Sequence, residues 1–287
     1  MSFFAAFATF AFEMEWFTMS PTRREFLQVS AAAVAGAEIS MHAEGAAPTD
    51  PSLTAVKALV FDTFGTVVDW RSSVAREAEA LAKRKGVALD GAKFADAWRA
   101  GYGPSMNRVR SGELPWTNLD ALHRMMLESI LGDSGLGALT DAEKANLNRA
   151  WHRLSPWPDS VSGLTRLKKK FILAPLSNGN ISLMTNMAKR AGLPWDCILG
   201  AELARHYKPD PEVYKSAAEF LDLNVGDIMM VAAHLGDLKA AKGVGLKTAF
   251  VPRPLELGPQ GKPDLKADAS VDLSAADFND LAKQMGV

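Results

Sequence analysis

The chain has 287 residues, 48% of them hydrophobic and 23% charged, with 32 basic against 33 acidic side chains and a formal net charge of −1. A chain of this length and apolar content can bury a core large enough for two compact units, while the charge balance gives no footprint for nucleic acid or an anionic membrane. The single cysteine, Cys197, excludes a framework of intrachain disulfides.

The first feature in chain order is Ser20-Pro21-Thr22-Arg23-Arg24-Glu25-Phe26-Leu27-Gln28, followed by an apolar stretch from Val29 to Ala37 and small residues up to Pro48. The Arg-Arg-x-Phe-Leu run resembles a twin-arginine export signal. Its apolar part is short and stops at Glu38, so it is not a membrane span. The resemblance implies a signal or disordered segment over residues 1–50, a periplasmic protein and no membrane association in the mature form. The alternative is an N-terminal tail on a cytoplasmic protein.

From Val56 an apolar run of strand-forming residues ends in Asp62, followed by Thr63-Phe64-Gly65-Thr66. An α/β sheet presents reactive groups at the carboxyl ends of its strands, so Asp62 is a candidate nucleophile. Asp and Gly also favour turns for local reasons, and an N-cap aspartate is the competing reading. Residues 72–158 then carry four helical patterns, Ser73 to Arg84, Ala92 to Arg108, Asn118 to Leu131 and Asp141 to Leu154, closed by Pro156 and Pro158. Trp98, Tyr102, Trp116 and Phe64 are candidates for an apolar wall. Lys168-Lys169-Lys170 reads as the solvated end of a helix, where cations suit the helix dipole.

A second apolar run, from Phe171, ends in Ser177-Asn178-Gly179-Asn180 before a helical pattern from Ile181 to Arg190. In His206-Tyr207-Lys208-Pro209-Asp210-Pro211 a lysine precedes a helix start, with Asp210 as N-cap and Pro211 at the first helical position. A last apolar run, from Ile228, ends in Ala232-Ala233-His234-Leu235-Gly236-Asp237, before a helix expected from Leu238. No internal repeat or low-complexity tract interrupts this order.

Asp-x-x-Gly-Thr after one strand, a serine after the next, a lysine before a helix and an acidic strand end together resemble the haloacid dehalogenase superfamily over about residues 55–287. Leu176-Ser177-Asn178-Gly179 and Tyr207-Lys208-Pro209-Asp210, with Tyr214 six positions after the lysine, resemble its L-2-haloacid dehalogenase branch. The implied fold is α/β, a doubly wound, Rossmann-like parallel sheet over residues 55–71 and 159–287 with an inserted helical cap over 72–158. The ligand then sits in the cleft between the two.

The resemblance implies hydrolysis of short L-2-haloacids to D-2-hydroxyacids in two covalent steps. Asp62 attacks C2 and expels halide, and water then cleaves the Asp62 ester. Lys208 holds Asp62 ionised and pairs with Asp237. Thr66 orients Asp62, and Ser177 with the backbone amides after Asp62 binds the substrate carboxylate. Arg99 and Asn178 cradle the halide, with Arg108 and Arg110 as alternatives to Arg99, and Tyr214 matches an active-site tyrosine of the family. No cofactor or metal is implied, and the partners are a small-molecule 2-haloacid and, by family expectation, a second copy of the chain in a homodimer.

Chemistry favours the same branch. A phosphatase on this scaffold needs an acid two residues after the nucleophile to protonate an alkoxide, and a magnesium ion to offset anionic repulsion. Position 64 is phenylalanine, and directly after the last of these strand runs the chain offers one carboxylate, Asp237, where that metal site usually has more. Halide leaves without a proton. The family's loop commonly reads Ser-Ser-Asn where this chain has Ala232-Ala233-His234, so His234 is the candidate for orienting or deprotonating the hydrolytic water. A magnesium-dependent phosphatase and a non-enzymatic exported binding protein are the competing readings.

Overall fold

A computed structural model of the protein describes residues 53–287. The twin-arginine motif at Arg23-Arg24 and the segment 1–50 lie outside the described residues. The elements in chain order are β1 Ala58–Phe61, β2 Val68–Asp69, α1 Trp70–Lys85, α2 Gly91–Ala100, α3 Tyr102–Arg110, α4 Leu119–Ile130 and α5 Asp141–Asn148. There follow β3 Ser155–Pro156, α6 Ser160–Leu167, β4 Ile172–Ser177, α7 Ile181–Ala191, β5 Leu199–Gly200 and α8 Ala201–Ala204. The chain closes with α9 Pro211–Leu221, β6 Ile228–Ala232, α10 Leu235–Gly243, β7 Lys247–Phe250, β8 Leu273–Ser274 and α11 Phe278–Gln284.

Six strands form one sheet in the order β5-β4-β1-β6-β7-β8, and every pair in it is parallel. β1 is buried along its whole length because both faces of the sheet are covered, which is why its sequence is continuously apolar. Alternate residues feed two cores: Leu59 and Phe61 with Met229 and Val231 on one side, Ala58 and Val60 with Met230 and Tyr214 on the other. The connections run outward in both directions from β1, so a crevice opens at the carboxyl ends of β4, β1 and β6.

The five helices α1–α5 are inserted through a short antiparallel ribbon, β2 pairing with β3. Asp69 caps α1 by accepting from Ser72 N–H, Asn118 caps α4, and Thr140 with Glu143 forms a capping box at α5. The single helix expected from Ala92 to Arg108 is broken at Gly101 into α2 and α3. Pro104 has no N–H to return to the carbonyl of residue 100, and a side chain at Gly101 would run into Met126. The helix expected to reach Leu154 stops at Asn148 and tightens into a 3₁₀ turn over Arg149–Arg153, ahead of the extended residues that Pro156 requires. The helix after β6, α10, begins at Leu235, not Leu238, and puts Asp237 in its first turn, where the dipole favours a carboxylate. The lysine run stands exposed at the end of α6, as expected, with Lys168 paired to Asp196 and Lys170 donating to the Met285 carbonyl.

The helical insertion is tied back to the sheet by polar contacts near the crevice. Asp120 on α4 exchanges two hydrogen bonds with Asn180, at 3.1 and 2.9 Å, and receives His152 Nε2 at 2.9 Å. Tyr207 donates its hydroxyl to the Thr117 carbonyl at 2.6 Å. Below the site, Arg253 makes a bidentate pair with Asp159 at 2.7 and 2.9 Å and donates to the Thr66 carbonyl at 2.8 Å. Both partners of that pair are close to fully buried. Arg253→Met is therefore expected to lower the unfolding free energy by about 3 kcal/mol, since it removes the cation from a largely buried Asp159 and leaves it only the Phe278 N–H; chemical denaturation of the two proteins measures the difference.

Candidate active site

Asp62 directly follows β1, and its N–H donates to the Val231 carbonyl of β6, so the carboxylate stands at the point where the strand order reverses. Its side chain is about 10% exposed. Lys208 Nζ donates to Oδ1 at 3.0 Å, Thr66 Oγ1 to Oδ2 at 2.7 Å, and His234 Nδ1 lies 2.9 Å from Oδ2. Burial works against the charge on Asp62. Lys208, His234 and Thr66 outweigh it and hold the carboxyl well below the usual carboxylate range. Asp62 is thus a bound anion facing a cavity.

Lys208 precedes α9 and reaches back between two carboxylates, donating to Asp237 Oδ2 at 2.6 Å as well as to Asp62. Burial opposes its charge, and the two carboxylates more than reverse that effect. Asp237 also accepts from the Tyr214 hydroxyl at 2.6 Å, yet burial and the nearby Asp62 charge raise its pKa. Tyr214 is pushed up by burial and by the same carboxylate. Asn178 fixes the lysine from the backbone side, its Oδ1 accepting from Lys208 N–H at 2.7 Å.

A cavity of about 290 Å³ opens over these groups, lined by Asp62, Phe64, Asn178, Lys208, Tyr214, His234 and Asp237 from the sheet side and by Arg99, Tyr102 and Met106 from the helices. The Arg99 guanidinium lies 3.7 Å from the centroid of the Tyr102 ring, and its Nη1 is buried without a hydrogen-bond partner. A buried guanidinium nitrogen with no protein partner, on the wall of a cavity, is a candidate anion-binding group. Arg108 and Arg110 are not there: they pair with Glu113 and Asp210. Phe64 and Tyr102 form apolar wall. Trp98 is fully buried away from the cavity, and Trp116 stacks on Tyr207 outside it.

Two expectations change. Ser177 does not line the cavity; it is fully buried and its Oγ accepts from Gly179 N–H at 3.2 Å, shaping the loop after β4. Of the amides after Asp62, that of Gly65 is already used by the Val68 carbonyl. His234 is also not a free base. Its Nδ1 faces Asp62, while its Nε2 lies 3.1 and 3.0 Å from the two oxygens of Glu256. Burial lowers its pKa, but the two carboxylates override this and push it up to about 10, so His234 is an imidazolium donating from both nitrogens.

Glu256 is the residue that sequence reading missed. It is 4% exposed, and Trp70 Nε1 donates to it at 3.1 Å. Gly65, at φ +90°, makes room for it: a Cβ there would fall inside the Glu256 carboxylate. The available signal was its position in Pro252-Arg253-Pro254-Leu255-Glu256, the loop after β7, since strand-end loops of such sheets converge on the crevice.

A model of the haloacid dehalogenase-like hydrolases matches residues 56–245. The (S)-2-haloacid dehalogenase 4A of Burkholderia cepacia is 30% identical in an alignment of 209 residues that covers 69% of this chain and 84% of that protein. The crystal structure of a defluorinating L-2-haloacid dehalogenase is 49% identical, covers 81% of this chain and 96% of its own, and superposes with a TM-score of 0.79. Another L-2-haloacid dehalogenase structure is also 49% identical, covers 80% of this chain and 100% of its own, and gives a TM-score of 0.76.

The His234 contacts predict a pH dependence of stability. A group raised from 6.5 to about 10 on folding stabilises fully below 6.5 and loses that contribution as pH rises through 10. The gap in unfolding free energy between the wild type and His234→Asn is expected to shrink from about pH 6 to about pH 10, measured by denaturant titration at each pH. A constant gap would show that the charge on His234 is not what stabilises.

Proposed function

Because the chain belongs to the haloacid dehalogenase-like hydrolases, we infer that it is a carbon–halide hydrolase that converts short (S)-2-haloacids to 2-hydroxyacids of inverted configuration through an ester on Asp62. The observation that carries this reading is Asp62 itself, an anion held on both oxygens and turned to a cavity with an unpartnered guanidinium in its wall. Such a carboxylate is fixed in orientation before substrate arrives.

In the first step an Asp62 oxygen attacks C2 as the carbon–halogen bond breaks. Arg99 Nη1 and the Asn178 amide receive the departing halide, which takes the bonding electron pair and needs no proton. The apolar neighbour at position 64 is compatible with that chemistry and leaves an alkoxide without an acid. Lys208 supplies positive charge between Asp62 and Asp237. In the second step water attacks Cγ of the ester and releases the hydroxyacid.

The reaction is expected to proceed with a chelator present, because Lys208, Arg99 and His234 supply the cations around a substrate of one charge. Halide release from the enantiomers of 2-chloropropionate tests it: wild type should release halide from the (S) form with and without chelator, and Asp62→Asn should release none. Strict dependence on magnesium would favour phosphatase chemistry instead. Halide release limited to one equivalent would favour a protein that traps its ligand.

We also propose that the protein is exported, on the strength of the Arg23-Arg24-Glu25-Phe26-Leu27 run. Changing both arginines to lysine should leave folded, active enzyme in the cytoplasm, whereas cell fractionation of the wild type should find little there.

A further inference from the structure

Ester hydrolysis needs a proton acceptor beside the Asp62 carbonyl, and each candidate in the resting site is occupied. Asp237 accepts from Lys208 and from Tyr214, at 2.6 Å each, one on each oxygen. His234 holds protons on both nitrogens, between Asp62 and Glu256. The first half-reaction changes one of these and not the other. When Asp62 becomes an ester it loses its negative charge, while the partners of Asp237 stay in place.

We propose that Glu256 and His234 form a dyad that is locked as a cation while Asp62 is free and becomes the general base only once Asp62 is alkylated. The assignment rests on the dehalogenase reading above and extends it to the second step. Geometry supports it at three points. His234 Nδ1 is one hydrogen bond from Asp62 Oδ2, hence beside Cγ, where water must attack. His234 lines the cavity with a side chain about 36% exposed, so water reaches it. Glu256 sits behind it at 4% exposure, fixed by Trp70, and dictates that Nε2 keeps its proton while Nδ1 is the nitrogen to lose one.

The protons balance. Alkylation consumes the Asp62 anion and the carbon–halogen bond and yields ester and halide. His234, with one carboxylate partner in place of two, then gives its Nδ1 proton to solvent. Water attacks Cγ as Nδ1 takes one of its protons. Collapse of the tetrahedral adduct breaks the bond from Cγ to the ester oxygen, and the remaining hydroxyl proton passes to the departing alkoxide. Asp62 returns as a carboxylate and His234 as an imidazolium, with one proton and one halide released per turnover. Glu256 never touches substrate; it is a positioning residue that acts through His234.

Single-turnover mass spectrometry of the Asp62 adduct as a function of pH separates the two steps, with (S)-2-chloropropionate as the probe. Glu256→Gln keeps the shape but not the charge. It is expected to alkylate Asp62 normally and to accumulate the ester, with breakdown slowed on the order of 10- to 100-fold. Its breakdown midpoint should move to lower pH, because a neutral partner no longer raises the imidazole. The charges that face His234 are otherwise unchanged: Asp62 and Glu256 in contact, Lys208 and Asp237 one bond beyond, Arg99 across the cavity, and Asp264 on the next backbone N–H. Glu256→Asp should restore the wild-type midpoint, which a merely structural role for the charge would not produce.

Breakdown in Glu256→Gln at the wild-type rate with an unmoved midpoint would overturn the dyad and leave dehalogenation standing, with Asp237 as the base. Failure of Glu256→Gln to alkylate at all, with wild type active, would place Glu256 in the first step and equally overturn it. Absence of halide release from the wild type would instead sink the dehalogenase reading on which the dyad rests.

Discussion

The Lys208 ammonium between Asp62 and Asp237 is the interaction on which the rest of the site depends. Two carboxylates with side chains about 10% exposed cannot share so dry a space without a cation, and a lysine side chain as buried as they are cannot remain charged without them. Each of the three comes from a different part of the chain: the end of β1, the loop before α9 and the first turn of α10. A parallel sheet whose order reverses at β1 brings those parts to one crevice, and Asn178 after β4 anchors the lysine backbone there. The charge pattern is therefore a statement about topology as much as about chemistry.

Around that trio the protein arranges cations in graded roles. Lys208 is saturated by protein carboxylates and so holds the nucleophile without competing for substrate. Arg99, stacked on Tyr102, has a buried nitrogen with no protein partner and is the group we propose for an incoming anion. His234 stands between, tied to the nucleophile on one side and to Glu256 on the other. A flexible ammonium suits the inner position, and a planar fork held on an aromatic face suits the outer one, because the fork presents its donors in a fixed direction.

The site also depends on contacts that carry no chemistry. Arg253 binds the Thr66 carbonyl and Asp159 together, which sets the loop that presents both Asp62 and its Thr66 donor. Trp70, at the first position of α1, reaches Glu256 from the inserted helices, so the loop after β7 and the helical insertion meet behind His234. Gly65 permits that meeting by having no side chain. The wall residue Phe64 packs edge to face on the buried Trp151, with ring centroids 5.9 Å apart, joining the core of the insertion to the cavity.

Much of this was legible in the residues themselves. Apolar runs that end in Asp62, in Ser177-Asn178 and in Ala232-Ala233-His234 mark buried parallel strands with polar carboxyl ends, since only strands covered on both faces are continuously apolar. Asp210-Pro211 marks a helix start, and the absence of an acid at position 64 is a local fact. What sequence order could not decide is which groups meet across long separations. Glu256 and Trp70 have no signature in their own neighbourhoods, because their roles come from a loop and a helix converging on His234. Ser177 has the right residue type and strand end, yet the turn after β4 uses its hydroxyl internally. The protonation of His234 was equally hidden. An imidazole alone titrates near neutrality, and only the fold, by setting one carboxylate against each ring nitrogen, makes it a cation.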